Sequence, residues 1–255
     1  MLLAIDVGNT QTVLGVYEGN KLLHMWRLAT DHVRTSDEIR VHVNGLLEMA
    51  GVEAAAIDGA ALATVVPLLK RRWQKVCRVM FNVETLAVDA QVAAQLLDTN
   101  AYRNQAGIGD DRIADAVAAK ALYGAPVIVL DFGTATNMEV IDKQGNFAGG
   151  VIAPGVETSM KALVQGAALL PEVELVDPET SVGLDTVEAM QIGIVYGEVD
   201  RVNGLVRRMW DQLGYETKVV ATGGLSTAIG SLCETVDEIN PELTLEGLRI
   251  IYEQA

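Results

Sequence analysis

The sequence predicts an α/β protein that is built from two copies of one structural unit. The strand–turn–strand pattern of residues 2–18 returns at residues 127–142. Each copy has Asp-x-Gly directly after an apolar run, at Asp6 and at Asp131, which lie 131 − 6 = 125 positions apart in a chain of 255 residues. Segments with strand and helix patterns alternate in both halves, which favours layered α/β domains.

The elements of the first copy follow from apolar runs and from the residues that bound them. Residues 2–8, 11–18 and 21–29 are predicted to form three strands joined by tight turns. A helix is predicted from Ser36, a good capping residue, to Gly51, which can end it. The remaining predicted elements are a strand over 59–67, a helix that contains Trp73, a strand at Val79–Val83, a short helix before Leu97 and a long helix after a turn at 107.

The second copy repeats this order. Gly145-Asn146 occupies the turn position that Gly19-Asn20 has in the first copy. The predicted elements are strands over 126–132, 136–142 and 147–153, helices over 156–169 and 186–213, a strand in KVVATGG, a helix from Ser226 and a closing helix in LTLEGLRIIYEQ. The repeat predicts an N-terminal domain at residues 1–115 and a C-terminal domain at residues 116–255.

Composition excludes several classes of function. The formal net charge is −15, which argues against a nucleic-acid surface or an anionic membrane surface, because both need basic patches. Cys77 and Cys233 are too few for a disulfide framework or a zinc site, and we expect them to be buried thiols in a reducing cytoplasm. No apolar run approaches the roughly 18 residues of a membrane helix, so we expect no membrane span, and no signal peptide is recognisable.

Each Asp-x-Gly indicates a site for phosphate and a cation at the end of a strand. Glycine lets backbone N–H groups approach a phosphate closely, and a carboxylate can hold the accompanying cation. One such turn alone is more often an ordinary turn. Two copies after matching strands instead predict a cleft in which both domains hold a metal–nucleotide complex. Neither loop contains Lys or Arg, so backbone groups and cations must neutralise the phosphates.

Six motifs carry a resemblance to a known family. They are, in order, AIDVGNT, TVVP, GDDRIADAVAA, LDFGTAT, GGVIAPG and ATGGL, and the match extends from residue 3 to about residue 252. Together they resemble the type III pantothenate kinases, a family of the actin-like ATPase superfamily. The resemblance implies two duplicated RNase H-like domains with a cleft between them. It also implies transfer of the ATP γ-phosphate to the primary hydroxyl of pantothenate, which begins coenzyme A synthesis, by a cytoplasmic homodimer that needs a divalent cation and either K⁺ or NH₄⁺.

The same resemblance assigns site residues one position at a time. Asp111 corresponds to the family's proton acceptor, and Asp131 to its monovalent-cation ligand. On chemical grounds Asp6 is the candidate ligand of Mg²⁺, through water. The implied ATP contacts are Asp6, Val7, Gly8, Asn9, Thr10, Gln11, Thr12, Val13 and Thr134. The implied pantothenate contacts are Tyr102, Gly109, Asp110, Asp111 and Arg112, with Thr186 contributed by the partner subunit.

Several positions depart from the family pattern. Gln11, Gln105, Asp115 and Asn137 stand where Asn, Pro, Asn and Thr are usual, and Leu184-Asp185 stands where a basic or polar pair is common. Asn and Gln keep hydrogen-bonding capacity, so those exchanges are tolerable. Asp115 lies one helical turn after Asp111 and could raise the pKa of that carboxyl. Leu184 leaves the wall of the pantothenate pocket open to question.

Two other functions remain open at this point: another small-molecule kinase of the superfamily, and a catalytically silent nucleotide-binding regulator. The presence of Asp6, Asp111 and Asp131 favours catalysis, and the short chain favours pantothenate over sugars. Asp111 could instead cap a helix, and Arg112 could serve a structural ion pair.

A stripe of apolar residues follows Thr186 along the predicted helix. Met190, Ile194 and Val195 recur at helical spacing, so they form either a dimer surface or ordinary core. His32 has no metal-ligand spacing to the other histidines and is expected at the surface or at its boundary.

Overall fold

A computed structural model describes residues 1–255, which group into two compact units. The first comprises Met1–Ala118 and Leu243–Ala255, and the second comprises Ala119–Glu242. The strands are β1 (Leu2–Val7), β2 (Gln11–Glu18), β3 (Lys21–Ala29), β4 (Gly59–Thr64), β5 (Thr85–Ala87), β6 (Val127–Phe132), β7 (Ala135–Ile141), β8 (Phe147–Pro154), β9 (Lys218–Thr222) and β10 (Glu238–Ile239). The α-helices are α1 (Ser36–Ala50), α2 (Pro67–Phe81), α3 (Asp110–Tyr123), α4 (Val156–Gly166), α5 (Thr186–Leu213) and α6 (Leu243–Gln254).

Each unit contains a five-stranded sheet, and the two sheets have the same topology. The strand order is β3-β2-β1-β4-β5 in the first unit and β8-β7-β6-β9-β10 in the second. In both, the first three strands of the unit pair antiparallel, and the later strands join parallel to them. This correspondence confirms the α/β fold and the duplication that the repeated Asp-x-Gly pattern predicts.

The core of the first unit lies between its sheet and helices α1 and α2. Helix α1 buries Ile39, Val43 and Leu47, which recur at intervals of four and place one apolar stripe on the sheet. Its start is fixed by Thr35, whose side chain accepts the N–H of Glu38, while the Glu38 carboxylate accepts the N–H of Thr35. The capping residue is therefore Thr35, one residue earlier than the Ser36 that the sequence suggests.

The predicted strand at Val79–Val83 is wrong. Helix α2 continues to Phe81 and ends at Asn82, which adopts a left-handed conformation with φ of 57°. The apolar residues of this segment follow helical spacing, because Trp73, Val76, Cys77 and Phe81 are all buried on one side. The strand of this region comes later, as β5.

Two segments that are predicted to be helices do not form α-helices in the structure. The segment before Leu97 forms consecutive turns, and Ser226–Gly230 forms a single π-helical turn. The helix predicted over 156–169 ends at Gly166. None of the helices combines the length and the apolar character needed to cross a membrane.

Helix α5 dominates the core of the second unit. It has 28 residues and places Val195, Val199, Val202 and Val206 against the sheet. Met190 packs in a smaller cluster of the same unit with Met160 and Val173. Much of the apolar stripe after Thr186 is thus internal core, which is the second of the two interpretations that the sequence allows.

The closing helix α6 packs on the sheet of the first unit, although the sequence-based boundary places it in the C-terminal domain. A Cβ at Gly15 of β2 would lie 2.8 Å from the Leu245 side chain. A Cβ at Gly59 would lie 2.6 Å from Cζ of Tyr252. Glycines at these two positions let α6 approach the sheet closely. The chain therefore returns to its first unit at the end, which sequence order alone does not reveal.

Candidate active site

The first Asp-x-Gly loop connects β1 to β2. Asp6 is the register partner of Val13, and the Gly8 N–H donates to the Gln11 carbonyl at 3.0 Å, which closes the turn. Thr10 anchors the loop, since its carbonyl accepts the N–H of Thr30 at 2.8 Å. Among the predicted ATP contacts, Val7 and Thr12 are buried, while Asn9, Thr10 and Gln11 are exposed. The exposed tip of the loop is thus the part that a phosphate can reach.

The second loop, between β6 and β7, is also closed by the N–H of its glycine. The Gly133 N–H donates to the Ala135 carbonyl, two residues on, at 3.0 Å, whereas the Gly8 N–H donates to a carbonyl three residues on. Thr134 is exposed, and its carbonyl accepts the N–H of Gly155 at 3.1 Å and the Thr158 hydroxyl at 2.6 Å. The start of α4 therefore holds the second loop in place.

Two glycines from other motifs press against this second loop. A Cβ at Gly155 would overlap the Gly133 carbonyl and lie 2.6 Å from the Thr134 carbonyl oxygen. A Cβ at Gly223, where φ is 91°, would overlap an oxygen of the Asp131 carboxylate and lie 2.7 Å from the Phe132 nitrogen. The motifs GGVIAPG, LDFGTAT and ATGGL therefore converge on one place, where the backbone leaves no room for side chains.

Asp111 lies at the start of α3. The helix begins at Asp110, and the Gly109 carbonyl accepts the N–H of Ile113 at 3.1 Å, so Gly109 rather than Asp111 occupies the capping position. The Asp111 carboxylate accepts the N–H of the adjacent Arg112 at 2.8 Å. A Cβ at Gly109 would overlap that carboxylate, so the present position of the Asp111 side chain depends on glycine there. The structure does not favour the capping interpretation of Asp111.

The ionisation of Asp111 is controlled mainly by burial. Burial raises the pKa of the Asp111 carboxyl above its ordinary value, while the N–H and the charge of Arg112 oppose the rise. The direction agrees with the expectation from Asp115, but burial rather than the charge of Asp115 is the cause. Asp115 itself is buried, with 1% of its surface exposed.

Asp110 connects α3 to the end of β4 and faces a cavity. Its carboxylate accepts the N–H of Thr64 at 3.3 Å. Burial, with some help from the neighbouring charges of Asp111 and Asp89, raises the pKa of Asp110 to about 6. The cavity has a volume of about 610 Å³, within the range of small-molecule sites. Its polar lining residues are Asp89, Gln91, Asp98, Thr99, Asn100, Gln105 and Asp110.

The other residues of the first unit that are predicted to contact pantothenate are close in sequence to residues that line this cavity. Tyr102 is partly buried, and its N–H donates to the carbonyl of Thr99, a lining residue. Arg112 is buried, with 5% of its surface exposed. The first unit therefore contains the loop of Asp6 and the cavity bordered by Asp110, together with Asp111.

Thr186 lies in the second unit, as the exposed first residue of α5. Asp185 caps the helix by accepting the N–H of Glu188 at 2.9 Å. Thr186 and Leu184 line a second cavity, of about 810 Å³, between the loop before α5 and helix α4. Large apolar side chains near it are exposed, namely Leu163, Leu169, Val182, Leu184 and Val187.

A buried ion pair on α5 was not foreseen from the sequence. Glu198 forms a salt bridge with Arg201 and accepts the Thr136 hydroxyl at 2.6 Å, and 4% of its side chain is exposed. Arg201 also donates to the Pro154 carbonyl at 2.6 Å. Charges spaced three apart on a helix usually belong to a solvated face, so only the tertiary packing identifies this pair.

His32 also has a contact that the sequence does not indicate. Its Nε2 lies 3.0 Å from the Asn9 carbonyl oxygen, so the side chain supports the tip of the first loop. Gly155 and Thr158 likewise support the second loop. Gly155 belongs to the GGVIAPG motif and Thr158 lies three residues after it, and neither position indicates a distance to Thr134.

The carboxylates of Asp6 and Asp131 suit cations that take their remaining ligands from water and from substrate phosphates. No group of three or more His, Cys, Asp or Glu side chains is arranged to hold a metal ion. Mg²⁺ commonly takes one or two carboxylates and completes its shell with water and substrate phosphates, which a single residue such as Asp6 can satisfy. At Asp131, glycines on two sides bring backbone and carboxylate oxygens close together, a cradle that fits a cation.

Comparisons with known proteins agree with this geometry. The chain matches the sequence model of the type III pantothenate kinases over residues 2–208. It is 45% identical over 254 residues to the type III pantothenate kinase of Halalkalibacterium halodurans, covering 100% of this chain and 99% of that one. It is 44% identical over 256 residues to that of Roseiflexus sp., covering 99% and 98%.

Solved structures with the same fold are more distant in sequence. The activator of 2-hydroxyisocaproyl-CoA dehydratase from Clostridium difficile, solved with bound ADPNP, superposes with a TM-score of 0.54 at 11% identity, over 100% of this chain and 93% of that one. Component A of the Acidaminococcus fermentans (R)-2-hydroxyglutaryl-CoA dehydratase superposes with a TM-score of 0.55 at 14% identity, over 100% and 96%. These likenesses concern the fold alone. By its sequence relatives, the chain belongs to the type III pantothenate kinase family.

Proposed function

We propose that this protein transfers the γ-phosphate of ATP to the primary hydroxyl of pantothenate, giving 4′-phosphopantothenate, the first step of coenzyme A biosynthesis. The observation that carries the proposal is Asp111, held at the start of α3 by the Arg112 N–H and by the absence of a side chain at Gly109. Family membership supplies the reaction, and Asp111 occupies the family's position for the proton acceptor. The neighbouring cavity of about 610 Å³ supplies room for a small acceptor.

Each unit contains one loop that we propose as a phosphate loop. The Gly8 and Gly133 N–H groups close their turns, so the first loop offers the backbone of Asn9 and Thr10, and the second offers that of Thr134. Phosphoryl transfer depends mainly on positioning and on neutralising charge, and neither loop supplies a basic side chain. Backbone N–H groups and cations therefore replace the lysine that other phosphate loops use.

Two cations complete the proposal. Mg²⁺ bound to the phosphates offsets their charge, and Asp6 is its ligand through water. Asp131 is the ligand of K⁺ or NH₄⁺. The charge balance supports both assignments, since ATP adds negative charge to a protein that already carries −15.

Asp111 orients the acceptor hydroxyl and accepts its proton. The transition state of phosphoryl transfer is loose, so the proton moves late and a carboxylate is a sufficient base. Burial raises the pKa of this carboxyl and thereby makes it a stronger base than an exposed aspartate. Tyr102, Gly109, Asp110 and Arg112 are the proposed neighbours of pantothenate in the first unit.

We also propose that the active protein is a homodimer in which the partner contributes Thr186. The exposed apolar residues support this proposal: Leu184 lines the same cavity as Thr186 and is 91% exposed, and Leu169, next in the chain to the lining residue Leu170, is 93% exposed. Exposed apolar clusters of this kind are typical of interaction surfaces. Since coenzyme A synthesis draws on cytoplasmic ATP, we place the enzyme in the cytoplasm.

A direct assay tests the reaction. Purified protein with ATP, Mg²⁺, K⁺ and pantothenate is expected to form phosphopantothenate, which mass spectrometry detects. Product with a sugar but not with pantothenate would instead indicate another small-molecule kinase. ATP binding without any product would indicate a nucleotide-binding regulator.

The Asp111→Asn variant tests the assigned base. It is expected to keep ATP binding and a melting temperature within a few degrees of wild type, while kcat falls by roughly 10²-fold or more. A near-wild-type kcat would remove Asp111 from the mechanism. Full wild-type activity in sodium-only buffer would reject the monovalent-cation requirement.

Subunit mixing tests the dimer. Asp111→Asn subunits and Thr186→Ala subunits are each expected to be defective, and the mixture is expected to regain part of the activity, because one site in a mixed dimer is intact. Light scattering that shows an active monomer would refute the shared site.

A further inference from the structure

Thr222 is a buried polar residue that neither the fold nor the assigned site explains. It ends β9 immediately before the Gly223-Gly224 turn, and 1% of its surface is exposed. Its hydroxyl oxygen is buried and has no hydrogen-bond partner. A buried hydroxyl without a partner destabilises the fold relative to one that is satisfied, so a partner of another kind is indicated.

The sheet places this hydroxyl beside the Asp131 carboxylate. Thr222 and Asp131 are register partners in the parallel pair of β9 and β6, and paired residues of neighbouring strands project from the same face. Asn137 on β7 is the register partner on the other side of Asp131 and adds an amide to that face. Three oxygen-bearing side chains therefore stand in one row across three strands.

The turn after Thr222 closes over the same carboxylate. A Cβ at Gly223 would overlap an Asp131 oxygen, and one at Gly133 would lie 3.5 Å from the other. Backbone thus approaches the Asp131 carboxylate from two sides. One carboxylate with neutral hydroxyl and amide oxygens is a weak-field oxygen set, which suits a monovalent cation better than a transition metal.

We propose that the Thr222 hydroxyl is a ligand of the same monovalent cation that Asp131 binds. The inference rests on the proposed function, because that function makes Asp131 a cation ligand. It adds a neutral ligand from β9, so the cation joins the strand end of β6 to the turn of the ATGGL motif. Cation binding then stabilises the turn as well as neutralising charge.

Melting temperatures in K⁺ and in tetramethylammonium, which is too large for the cradle, test the proposal without substrate. At a K⁺ concentration roughly ten times the dissociation constant, wild type is expected to melt about 3–6 °C higher in K⁺. Thr222→Val has the same shape without the hydroxyl. It is expected to melt at or above the wild-type temperature in tetramethylammonium, since it removes an unpartnered hydroxyl, and to lose most of the K⁺ shift. In the assay its K⁺ activation constant is expected to rise about tenfold.

Two further variants separate a lost ligand from a damaged fold. Thr222→Ser keeps the hydroxyl and is expected to retain the K⁺ shift. Thr217→Val removes a buried hydroxyl that accepts the Trp210 N–H at 3.0 Å just before the same strand, so it should melt lower but keep the shift.

The outcomes distinguish this inference from the proposed function. If Asp131→Asn loses the K⁺ shift while Thr222→Val keeps it in full, Thr222 is not a ligand and the Asp131 site stands. A K⁺ shift missing from Thr222→Ser would likewise overturn the role of the hydroxyl. If wild type shows no K⁺ shift, both the cation site and this inference are wrong.

Discussion

Substitution of Gly223 by alanine tests how closely the ATGGL turn packs on the second loop. The backbone at Gly223 has φ of 91°, a conformation that residues with a side chain rarely adopt. A new Cβ would also lie 2.7 Å from both the nitrogen and the carbonyl oxygen of Phe132, and it would overlap the Asp131 carboxylate. Two of these three contacts are backbone atoms inside a sheet, which cannot move aside cheaply.

The magnitude follows from adding strain and overlap. Placing alanine at positive φ costs about 1–2 kcal/mol, and crowding a packed site by one methyl group costs about 1–3 kcal/mol. The expected loss is about 3 kcal/mol, which corresponds to a fall in melting temperature of roughly 6–12 °C for a chain of this length. Gly214→Ala is the matched control, because φ there is 75° and a Cβ would meet nothing within 4 Å. It should cost only about 1 kcal/mol.

Thermal unfolding followed by circular dichroism measures both variants. Gly223→Ala is expected to melt well below Gly214→Ala and to lose the K⁺ response, because the overlap displaces Asp131. If the two variants melt at the same temperature, the close packing of the turn on Phe132 and Asp131 is refuted.

Three further predictions concern charged groups. Because the pKa of Asp110 is raised to about 6, its ionisation destabilises the fold, and this effect is absent near pH 4 and complete above pH 6. The free energy of unfolding of Asp110→Asn should therefore exceed that of wild type by about 1 kcal/mol at pH 7.5, after allowance for partial solvent screening, and by almost nothing at pH 4. Thermal melts of both proteins at the two pH values measure this difference. The raised pKa of Asp111 should place the acidic limb of the kcat–pH profile above pH 3.8, and a midpoint at or below that value would contradict the burial of this group. Glu198→Ala should lower the free energy of unfolding by about 3 kcal/mol in denaturant titrations, since it leaves Arg201 without its carboxylate. Glu84→Ala breaks an exposed ion pair and should have little effect. Equal losses in the two variants would refute the distinction between the pairs.

Local patterns predict well where chemistry and spacing coincide. The strands around Asp6 and Asp131 are correct to within one residue, because an apolar run that ends in a glycine turn has few alternatives. Helix α5 is predicted with its observed bounds, since a capping aspartate and a terminal glycine enclose its apolar spacing. The segment at Val79–Val83 fails because five residues are too few to distinguish strand from helix. The helical spacing of apolar residues that begins at Trp73 identifies this segment as the end of α2.

The sequence by itself determined the duplicated α/β fold, the two Asp-x-Gly loops and the family, because these depend on local patterns that recur in order. Only the tertiary structure decided which glycines enclose Asp131, that α6 packs on the first unit, and that burial rather than Asp115 raises the pKa of Asp111. The physical reason is the same in each case. Burial, backbone approach and the register of Thr222 beside Asp131 join residues that are distant in the chain, and sequence spacing carries no information about those distances.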